Sequence, residues 1–381
     1  MSADRVTALA ALFEGKKAAL LADLEQLVVH ESPSDDATLT SALSRWIAGR
    51  LAGAGIPAEC VPCPGRGDAL RARRGPDGGT LLLGHLDTVW PAGTLSGNPF
   101  RVEAGVAKGP GVFDMKGGIA IALAVLDAVG RGDVVPAGGL TLLLTPDEEV
   151  GSDASRELLV SEAKRHARVL VLEPSGDGGA AKIARKGIGQ ITVRFHGIAS
   201  HAGLEPEKGA SALAELARFV LFAEALADRD LGTSVVPTLA KAGSKANVVP
   251  ESAEATVDFR VWSRAEGERV EAALRAYRPD DGRVRVEPEG GLNRPPMEAT
   301  EVSMEIYRAA SRIASRLGFP LPSARVGGAS DGNLTAGAGV PTLDGLGPSG
   351  GGAHARTEHL LADDLPRRSA LLAALLEEMT A

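Results

Sequence analysis

The sequence predicts an α/β protein in which a parallel-rich sheet is covered by helices on both faces and an α+β sandwich is inserted as a second domain. Three observations support this prediction. Short apolar runs alternate with helical segments through the first half of the chain, which is typical of βαβ units. From about residue 187 the strands alternate apolar and polar residues, as half-exposed strands do. The length of 381 residues is also sufficient for two cores.

The first domain is expected to alternate helices with buried strands. Helical periodicity covers residues 4–30, and Ser34 or Asp35 is the expected N-cap of the helix that follows. The remaining elements are expected as helices at about 36–54, 117–130 and 152–165 and strands at about 57–63, 68–73, 80–85, 139–145 and 167–175. Strands separated by helices in this way predict a parallel sheet.

The middle of the chain has the predicted order βαββαβ. Its strands are expected at about 188–197, 233–242, 253–262 and 282–288, with helices at about 208–228 and 265–277. This order predicts an α+β sandwich. We therefore expect residues 1–186 and 297–381 to form one discontinuous domain and residues 187–296 to form a lid.

Composition narrows the classes of partner. A net charge of −8 argues against a nucleic-acid binder, which carries a basic face. No apolar run reaches about 18 residues, so no membrane partner is expected. The first residues predict an amphipathic helix and not a signal peptide. Cys60 and Cys63 form a lone CxxC without a second pair, for which we expect a structural role and a cytoplasmic location.

Histidines and carboxylates follow three of the predicted buried strands. His85 ends one strand, Glu149 follows the next, and Glu173 follows the third. In open α/β sheets, ligands bind at the carboxyl ends of the strands. Asp114 lies in a glycine-rich loop, and His354 follows a run of glycines that suits an approach to the same site. These five groups therefore predict a metal site, with His354 preferred to His359.

The chemistry of the five groups indicates two ions. All are nitrogen or oxygen ligands, which suit zinc and also cobalt or manganese. Five ligands are too many for one tetrahedral ion, but they fit two ions that share a carboxylate. Asp114 is the expected bridge, because its glycine-rich surroundings allow close approach of the backbone. The predicted cofactor is thus two Zn²⁺ per chain, with Co²⁺ or Mn²⁺ as alternatives.

Two further acids complete the expected machinery. Asp87 lies two residues after His85, on the same side of an extended chain, and is expected to accept the other ring N–H of that ligand. Glu148 and Glu149 are adjacent and point in different directions, so one is expected to be a ligand and the other a general base. A water between two ions becomes a hydroxide-like nucleophile near neutral pH, which predicts hydrolysis of an amide.

The motifs also carry a resemblance to a known family. The chain resembles the glutamate carboxypeptidase and acetylornithine deacetylase family, and most closely its glutamate carboxypeptidase branch, in GHLDTV at 84–89, GPGVFDMKGG at 109–118, DEEVGS at 147–152, LEP at 172–174 and SHAG at 200–203. Members are dinuclear-zinc aminohydrolases with a zinc-exopeptidase-like domain and an inserted lid. The resemblance implies a cis Asp114–Met115 peptide and assigns roles as follows: metal ligands His85, Asp114 (the bridge), Glu149, Glu173 and His354, general base Glu148, and ligand partner Asp87.

The same resemblance implies roles for residues of the lid and for a turn. His201 is similar to the histidine that reaches the active site of the other subunit and helps to stabilise the oxyanion, which implies a homodimer through the lid. Asn247 and Arg260 match positions that contact substrate. Arg294 is similar to an arginine that grips a substrate α-carboxylate bidentately. Gly328 lies in a turn that places a helix N-terminus at the substrate end.

The sequence is compatible with three functions. The first is a hydrolase that cleaves an amide next to a free α-carboxylate, releasing glutamate or a related amino acid from a small N-acyl amino acid, short peptide or folyl-type conjugate. The second keeps the metal site in an N-acyl amino acid deacylase or desuccinylase. The third is an inactive small-molecule-binding homologue, against which the presence of Glu148 and of all five ligand positions argues.

Overall fold

The computed structural model describes residues 2–379 and divides the chain into two compact units. The first unit comprises Met1–Ile183, Ala299–Val326 and Ser330–Ala381. The second comprises Ala184–Glu298 and Gly327–Ala329. The second unit is therefore an insertion in the sequence of the first. Within residues 2–379, no helix is both long enough and apolar enough to cross a membrane.

Helices and strands are numbered here in chain order. The α-helices are α1 (Ala3–Glu14), α2 (Lys17–Val29), α3 (Ala37–Ala52), α4 (Gly117–Arg131), α5 (Arg156–Ala163), α6 (Ala212–Glu224), α7 (Arg264–Ala276), α8 (Glu301–Arg316), α9 (Asp331–Gly337) and α10 (Asp364–Glu378). The strands are β1 (Ala58–Pro62), β2 (Asp68–Arg74), β3 (Thr80–His85), β4 (Arg101–Glu103), β5 (Val106–Lys108), β6 (Leu140–Thr145), β7 (Arg168–Val171), β8 (Ala181–Arg185), β9 (Gly187–His196), β10 (Ser234–Ala242), β11 (Ser252–Val261), β12 (Arg285–Arg294), β13 (Ser323–Val326), β14 (Thr342–Leu343), β15 (Gly350–Gly351) and β16 (His359–Leu361).

The main sheet of the first unit has the strand order β1-β2-β6-β3-β7-β14. β3 pairs in parallel with β6 and with β7, and β14 pairs in parallel with β7. β1 and β2 form an antiparallel edge. Every residue of β3 and β6 is buried, as expected for strands covered on both sides.

Helices cover both faces of this sheet. In β3, Leu82 points into a cluster that contains Ile121 of α4, whereas Leu81 and Leu83 point into a second cluster with Leu159 of α5 and residues of α9. Alternation along one strand thus supplies two apolar layers, because successive side chains of a strand face opposite sides. The α/β class predicted from the sequence is confirmed.

The second unit is an antiparallel sheet covered by two helices. Its strand order is β10-β11-β9-β12. Phe195 of β9, Phe219 of α6 and Leu274 of α7 belong to one buried cluster. The intervening β9 residues Gln190 and Arg194 are exposed. The order βαββαβ and the α+β sandwich are as predicted, since the alternation of β9 leaves only one face for the helices.

The N-cap prediction for α3 was wrong by one or two residues. Asp36, and not Ser34 or Asp35, caps the helix through hydrogen bonds from the N–H groups of its first turn. Ser34 instead donates its hydroxyl to Asp87 Oδ2 at 2.7 Å. A longer-range partner therefore takes the side chain that local sequence assigns to the cap.

A small sheet was missed by the sequence analysis. β15, β16, β5 and β4 form it, in that order, and each has only two or three residues. Such strands are too short to show a periodicity. β16 pairs with β5, so this sheet brings the loop that precedes β16 beside the segment that follows β5.

Gly118 allows α4 to approach the main sheet closely. A Cβ at this position would lie 2.0 Å from the carbonyl oxygen of Leu172. We expect Gly118→Ala to lower the free energy of unfolding by about 1–3 kcal/mol, because the helix must shift away from the chain that follows β7. Urea unfolding measures the change.

Gly49 of α3 provides the matched control, because nothing lies within 4 Å of an added Cβ there. Gly49→Ala should raise the free energy of unfolding by about 0.5–1 kcal/mol through helix propensity. Equal effects of the two substitutions would contradict the close packing of α4.

Candidate metal centre

Three neighbouring parallel strands supply the first side chains of the site. β3 lies between β6 and β7 in the sheet, so their carboxyl ends share one edge. His85 is the last residue of β3, Glu148–Val150 form a short 3₁₀ helix after β6, and Glu173 lies two residues after β7. Main-chain hydrogen bonding of the sheet therefore gathers groups that are far apart in the sequence.

Asp114 lies between two imidazoles. His85 Nε2 is 3.3 Å from Asp114 Oδ1 and 3.3 Å from Glu173 Oε1. His354 Nε2 is 3.4 Å from Asp114 Oδ2 and 3.2 Å from Glu149 Oε2. The structure thus brings together all five predicted ligand residues, in two groups that share the Asp114 carboxylate.

The charges of this cluster shift the pKa values of its members. Burial opposes ionisation of Asp114, but hydrogen bonds from His354 and His85 outweigh it and hold the pKa of this carboxyl below its ordinary value. The hydrogen bond to Asp114 is the main cause that raises the pKa of His354 to about 9. Burial, followed by the neighbouring Asp114 charge, raises the pKa of Glu149 to about 7 against the two imidazoles.

The donor set fits divalent cations. One atom each from His85, Asp114 and Glu149 lies within 4.8 Å of the others. Glu149 Oε1 is buried and has no hydrogen-bond partner within residues 2–379. An ionised oxygen in that position is costly without a cation or a donor. Three carboxylates and two imidazoles, without a thiolate, are the ligands that zinc, cobalt or manganese accept.

Asp87 lies beside His85 Nδ1, where the sequence analysis expects it, and it also holds a neighbouring turn. The atom closest to His85 Nδ1 is the backbone oxygen of Asp87, at 2.9 Å, whereas Oδ1 of the same residue is 3.5 Å away. The Asp87 carboxylate also accepts the N–H groups of Glu148 and Glu149, at 3.1 and 3.2 Å, and the hydroxyl of Ser34. One residue therefore orients both the imidazole and the turn of paired glutamates.

Other buried acids that hold this region were missed by the sequence analysis. Asp147 accepts the N–H of Ala154 at 2.8 Å and the hydroxyl of Ser155. Asp331 accepts the hydroxyl of Thr145 at 2.7 Å and that of Ser152. Nothing in the sequence marks the partners of these two acids. Only the motifs that contain the acids, DEE at 147–149 and GGASD at 327–331, could have indicated that Asp147 and Asp331 matter. Glu358, which contacts the Asp114 segment, was missed for the same reason.

Two backbone features mark the positions of Asp114 and His354. The Asp114–Met115 peptide bond is cis, so this expectation is confirmed. His354 has a φ of 62°, in the left-handed region that few residues other than glycine adopt. The preceding glycines could have indicated an unusual turn, but not which residue takes the left-handed conformation.

The predicted substrate residues belong to the second unit. His201 is exposed, and its Nδ1 accepts the N–H groups of Gly203 and Leu204 at 3.1 and 3.2 Å. Arg260 donates to Asp258 at 3.2 Å, and Arg294 is buried. The backbone carbonyl of Asn247 accepts a hydrogen bond from the N–H of Ala202. The backbone carbonyl of Gly328 accepts one from Arg185 Nη1.

Comparison with known proteins identifies the family. Residues 81–378, most of the chain and all five ligand candidates, match the profile of peptidase family M20/M25/M40. The chain belongs to this peptidase family. As an M20/M25/M40 peptidase it is a hydrolase of a metal-dependent family, whose substrates are small molecules or peptides. The enzyme class inferred from the motifs is confirmed.

Two relatives show how far the similarity extends. Carboxypeptidase G2 of Pseudomonas sp. (strain RS-16) is 32% identical over 376 residues, which cover 95% of this chain and 90% of the relative. A succinyl-diaminopimelate desuccinylase of Alkalilimnicola ehrlichii is 32% identical over 333 residues, covering 81% and 86%. The first similarity agrees with the predicted glutamate carboxypeptidase branch.

Solved structures share the fold of this M20/M25/M40 peptidase. Aminopeptidase PepT from Bacillus cereus has a TM-score of 0.79 at 20% identity, covering 95% of this chain and 98% of its own. YXEP protein of Bacillus subtilis, described as a dinuclear metal binding peptidase, has a TM-score of 0.67 at 16% identity, covering 95% and 98%. At these identities the likeness establishes the fold alone.

The Asp114–His354 pair generates a prediction for the metal-free protein. With a pKa of about 9, His354 should be protonated at pH 7. Its folded pKa exceeds the ordinary value of 6.5. The pair therefore stabilises the fold fully below that value, and the contribution is lost as the pH rises through about 9. An NMR titration of the imidazole in chelator-treated protein measures the pKa.

Asp114→Asn should move the pKa of His354 down towards its ordinary value, because the main hydrogen-bonding carboxylate is removed. Asp153→Asn is the control, since the Asp153 side chain is 82% exposed and pairs with Arg156. A His354 that titrates at its ordinary value in the unsubstituted protein would refute the pairing.

Proposed function

We propose that this peptidase cleaves an amide bond next to a free α-carboxylate, releasing glutamate or a related amino acid. The observation that carries the proposal is the Asp114 carboxylate between the imidazoles of His85 and His354. The identity with carboxypeptidase G2 over 95% of the chain supports the choice of substrate class.

Two divalent cations are proposed to bind, and Zn²⁺ is the proposed metal, with Co²⁺ or Mn²⁺ as alternatives. His85, Asp114 and Glu173 would hold one cation, since the two carboxylates lie equally close to His85 Nε2. Asp114, Glu149 and His354 would hold the other, with Asp114 shared. When bound, such cations supply Lewis acidity and lower the pKa of water to near 7.

Glu148 is the proposed general base. Its N–H donates to Asp87, and the neighbouring Glu149 faces His354, which leaves Glu148 as the glutamate of the pair proposed for proton transfer. The Glu148 carboxylate would accept a proton from water and transfer it to the leaving nitrogen. Asp87 holds the turn through both N–H groups and would thereby fix the backbone from which the Glu148 side chain leaves.

His201 is the proposed donor to the oxyanion of the substrate carbonyl. Its Nδ1 accepts two backbone N–H groups, so a neutral ring carries its proton on Nε2. That tautomer presents an exposed N–H donor, as an oxyanion requires. Backbone N–H groups, those of Gly203 and Leu204, therefore determine which ring nitrogen of His201 carries the proton.

Substrate recognition is proposed for four residues of the second unit. Arg294 would grip the α-carboxylate, because a guanidinium binds a carboxylate bidentately. Asn247 and Arg260 would contact the rest of the substrate. Gly328 lies in the turn before α9, beside the N-cap Ser330, and would let substrate approach the backbone.

A homodimer through the second unit is also proposed. β10 is an edge strand, and Val236 and Leu239 on it are 49% and 68% exposed. Leu213 and Leu221 of the neighbouring α6 are 45% and 68% exposed. Exposed apolar residues beside an unpaired strand edge support association of two copies.

We further infer a cytoplasmic enzyme, and the free thiols of the two cysteines support this inference.

A substrate panel tests the proposed function. Folyl- and peptidyl-glutamates should be hydrolysed with kcat/KM at least about 100-fold above that of N-acetyl and N-succinyl amino acids, since the site is proposed to bind the released amino acid. The reverse order would select the deacylase or desuccinylase function, which the identity with the desuccinylase of A. ehrlichii favours. Hydrolysis of neither group by protein with two bound cations would overturn both.

Glu148→Gln should lower kcat by about 10²–10⁴-fold and leave the number of bound cations unchanged, because an amide cannot accept the proton. Metal analysis and steady-state kinetics measure the two quantities. Glu157→Gln, an exposed substitution at the start of α5, is the control and should leave both unchanged. Substantial turnover by a clean Glu148→Gln preparation would contradict the assignment.

His201→Ala should lower kcat by about 10²–10³-fold through loss of the oxyanion donor. If the donor comes from the other subunit, mixing this variant with Glu148→Gln should restore about a quarter of wild-type activity after subunit exchange in a two-fold dimer. The reason is that each mixed dimer has one site with both groups intact. Exchanging dimers that show no recovery would exclude a shared site.

A further inference from the structure

Glu358 is a buried carboxylate with four N–H donors around it. Trp90 Nε1 and the N–H of Gly111 donate to Oε2 at 2.7 and 2.8 Å. The N–H groups of Phe113 and Asp114 donate to Oε1 at 2.9 and 3.0 Å. Only 1% of Glu358 is exposed. The four donors use both lone pairs of each oxygen, so the carboxylate has one well-defined position.

The three main-chain donors belong to a segment without a regular backbone ladder. Residues Val112–Lys116 form a π-type turn in which Asp114 has non-helical angles, with a φ of −112° and a ψ of 97°. A buried N–H in such a segment needs a partner from elsewhere in the chain. Glu358 is that partner for both Asp114 and the preceding residue, and it therefore fixes the direction in which the Asp114 side chain leaves the backbone.

The same carboxylate lies in the loop that carries His354. Glu358 follows His354 by four residues and directly precedes β16. Asp114 and His354 are separated by 240 positions in the chain, yet their side chains meet at 3.4 Å. Glu358 is the residue of the His354 loop that is hydrogen-bonded to the Asp114 backbone.

We propose that Glu358 is a positioning residue that sets the Asp114 carboxylate against His354 and thereby shapes the cation position these two residues share with Glu149. This inference rests on the proposed function, because it assumes that Asp114 and His354 hold a cation. Glu358 touches neither imidazole nor the facing carboxylates in the described contacts. It acts through the Asp114 backbone and is distinct from the five ligand candidates.

Glu358→Gln tests the inference with little change in volume. The amide keeps one acceptor oxygen, but its NH₂ group would face two of the four N–H donors. All four hydrogen bonds to this side chain therefore cannot form. We expect the cation held with His354 and Glu149 to bind about 10–100-fold more weakly, and the other cation, which also shares Asp114, to be weakened less. We also expect kcat to fall at least about tenfold while KM changes less than about threefold, as for loss of an interaction that acts on the reaction and not on substrate binding. Equilibrium dialysis with Co²⁺ and steady-state kinetics measure both.

Glu215→Gln is the matched control. Glu215 is also 1% exposed and accepts two consecutive backbone N–H groups, those of Asp280 and Asp281, at 3.0 and 3.2 Å, but in the second unit. Its substitution should lower thermal stability and leave cation affinity and kcat unchanged. A Glu358→Gln variant whose cation affinities and kcat match those of Glu215→Gln would overturn the inference.

Trp90→Phe provides a second variant that removes a single donor and leaves the charge in place. This substitution should weaken binding of the cation held with His354 and Glu149 by about two- to fivefold. The effect is smaller than for Glu358→Gln, because the Glu358 carboxylate remains. If Glu358→Gln does not fold, an unchanged cation affinity in Trp90→Phe overturns the inference. A wild-type protein that binds fewer than two cations overturns the proposed function itself, whatever the variants do.

Discussion

The contact on which the site depends is that of one carboxylate with two imidazoles. Asp114 directs Oδ1 towards His85 and Oδ2 towards His354, at 3.3 and 3.4 Å. A carboxylate approached from both sides needs partners from separate parts of the fold. The main sheet supplies His85 at the end of β3, and the small sheet of short strands brings the loop of His354 to the other side.

The acids of the candidate site divide into two groups by what balances their charge. Asp114, Glu149 and Glu173 face imidazoles and would face cations, which stabilise negative charge where water is excluded. Asp87 and Glu358 accept backbone N–H groups and so hold the segments that carry Glu149 and Asp114. A carboxylate whose oxygens already accept N–H groups needs no further partner. The Glu149 oxygen without a hydrogen-bond donor, in contrast, favours a cation.

The cation cluster by itself does not select between release of an amino acid and removal of an acyl group. Both reactions break an amide, and Lewis acidity at the carbonyl acts on either. The identities to a carboxypeptidase and to a desuccinylase are both 32%, although the first extends over more of the chain. Selectivity would come from groups that bind the ends of the substrate, and the proposed ones lie in the second unit. A buried arginine such as Arg294 suits a carboxylate, because its charge and its planar donors match that group.

Sequence alone determined the α/β class, the inserted sandwich, the family and the five candidate ligands. The end of a buried strand can be predicted where an apolar run stops at a polar residue. For this reason His85, Glu149 and Glu173 could be found from the sequence. Tertiary structure alone decided which acids orient the others. Asp87 uses its carboxylate for a turn 61 positions away and Glu358 for a segment 244 positions away, and no local spacing encodes such pairs. Hydrogen bonds to backbone N–H groups leave little trace in sequence, because every residue except proline offers the same donor.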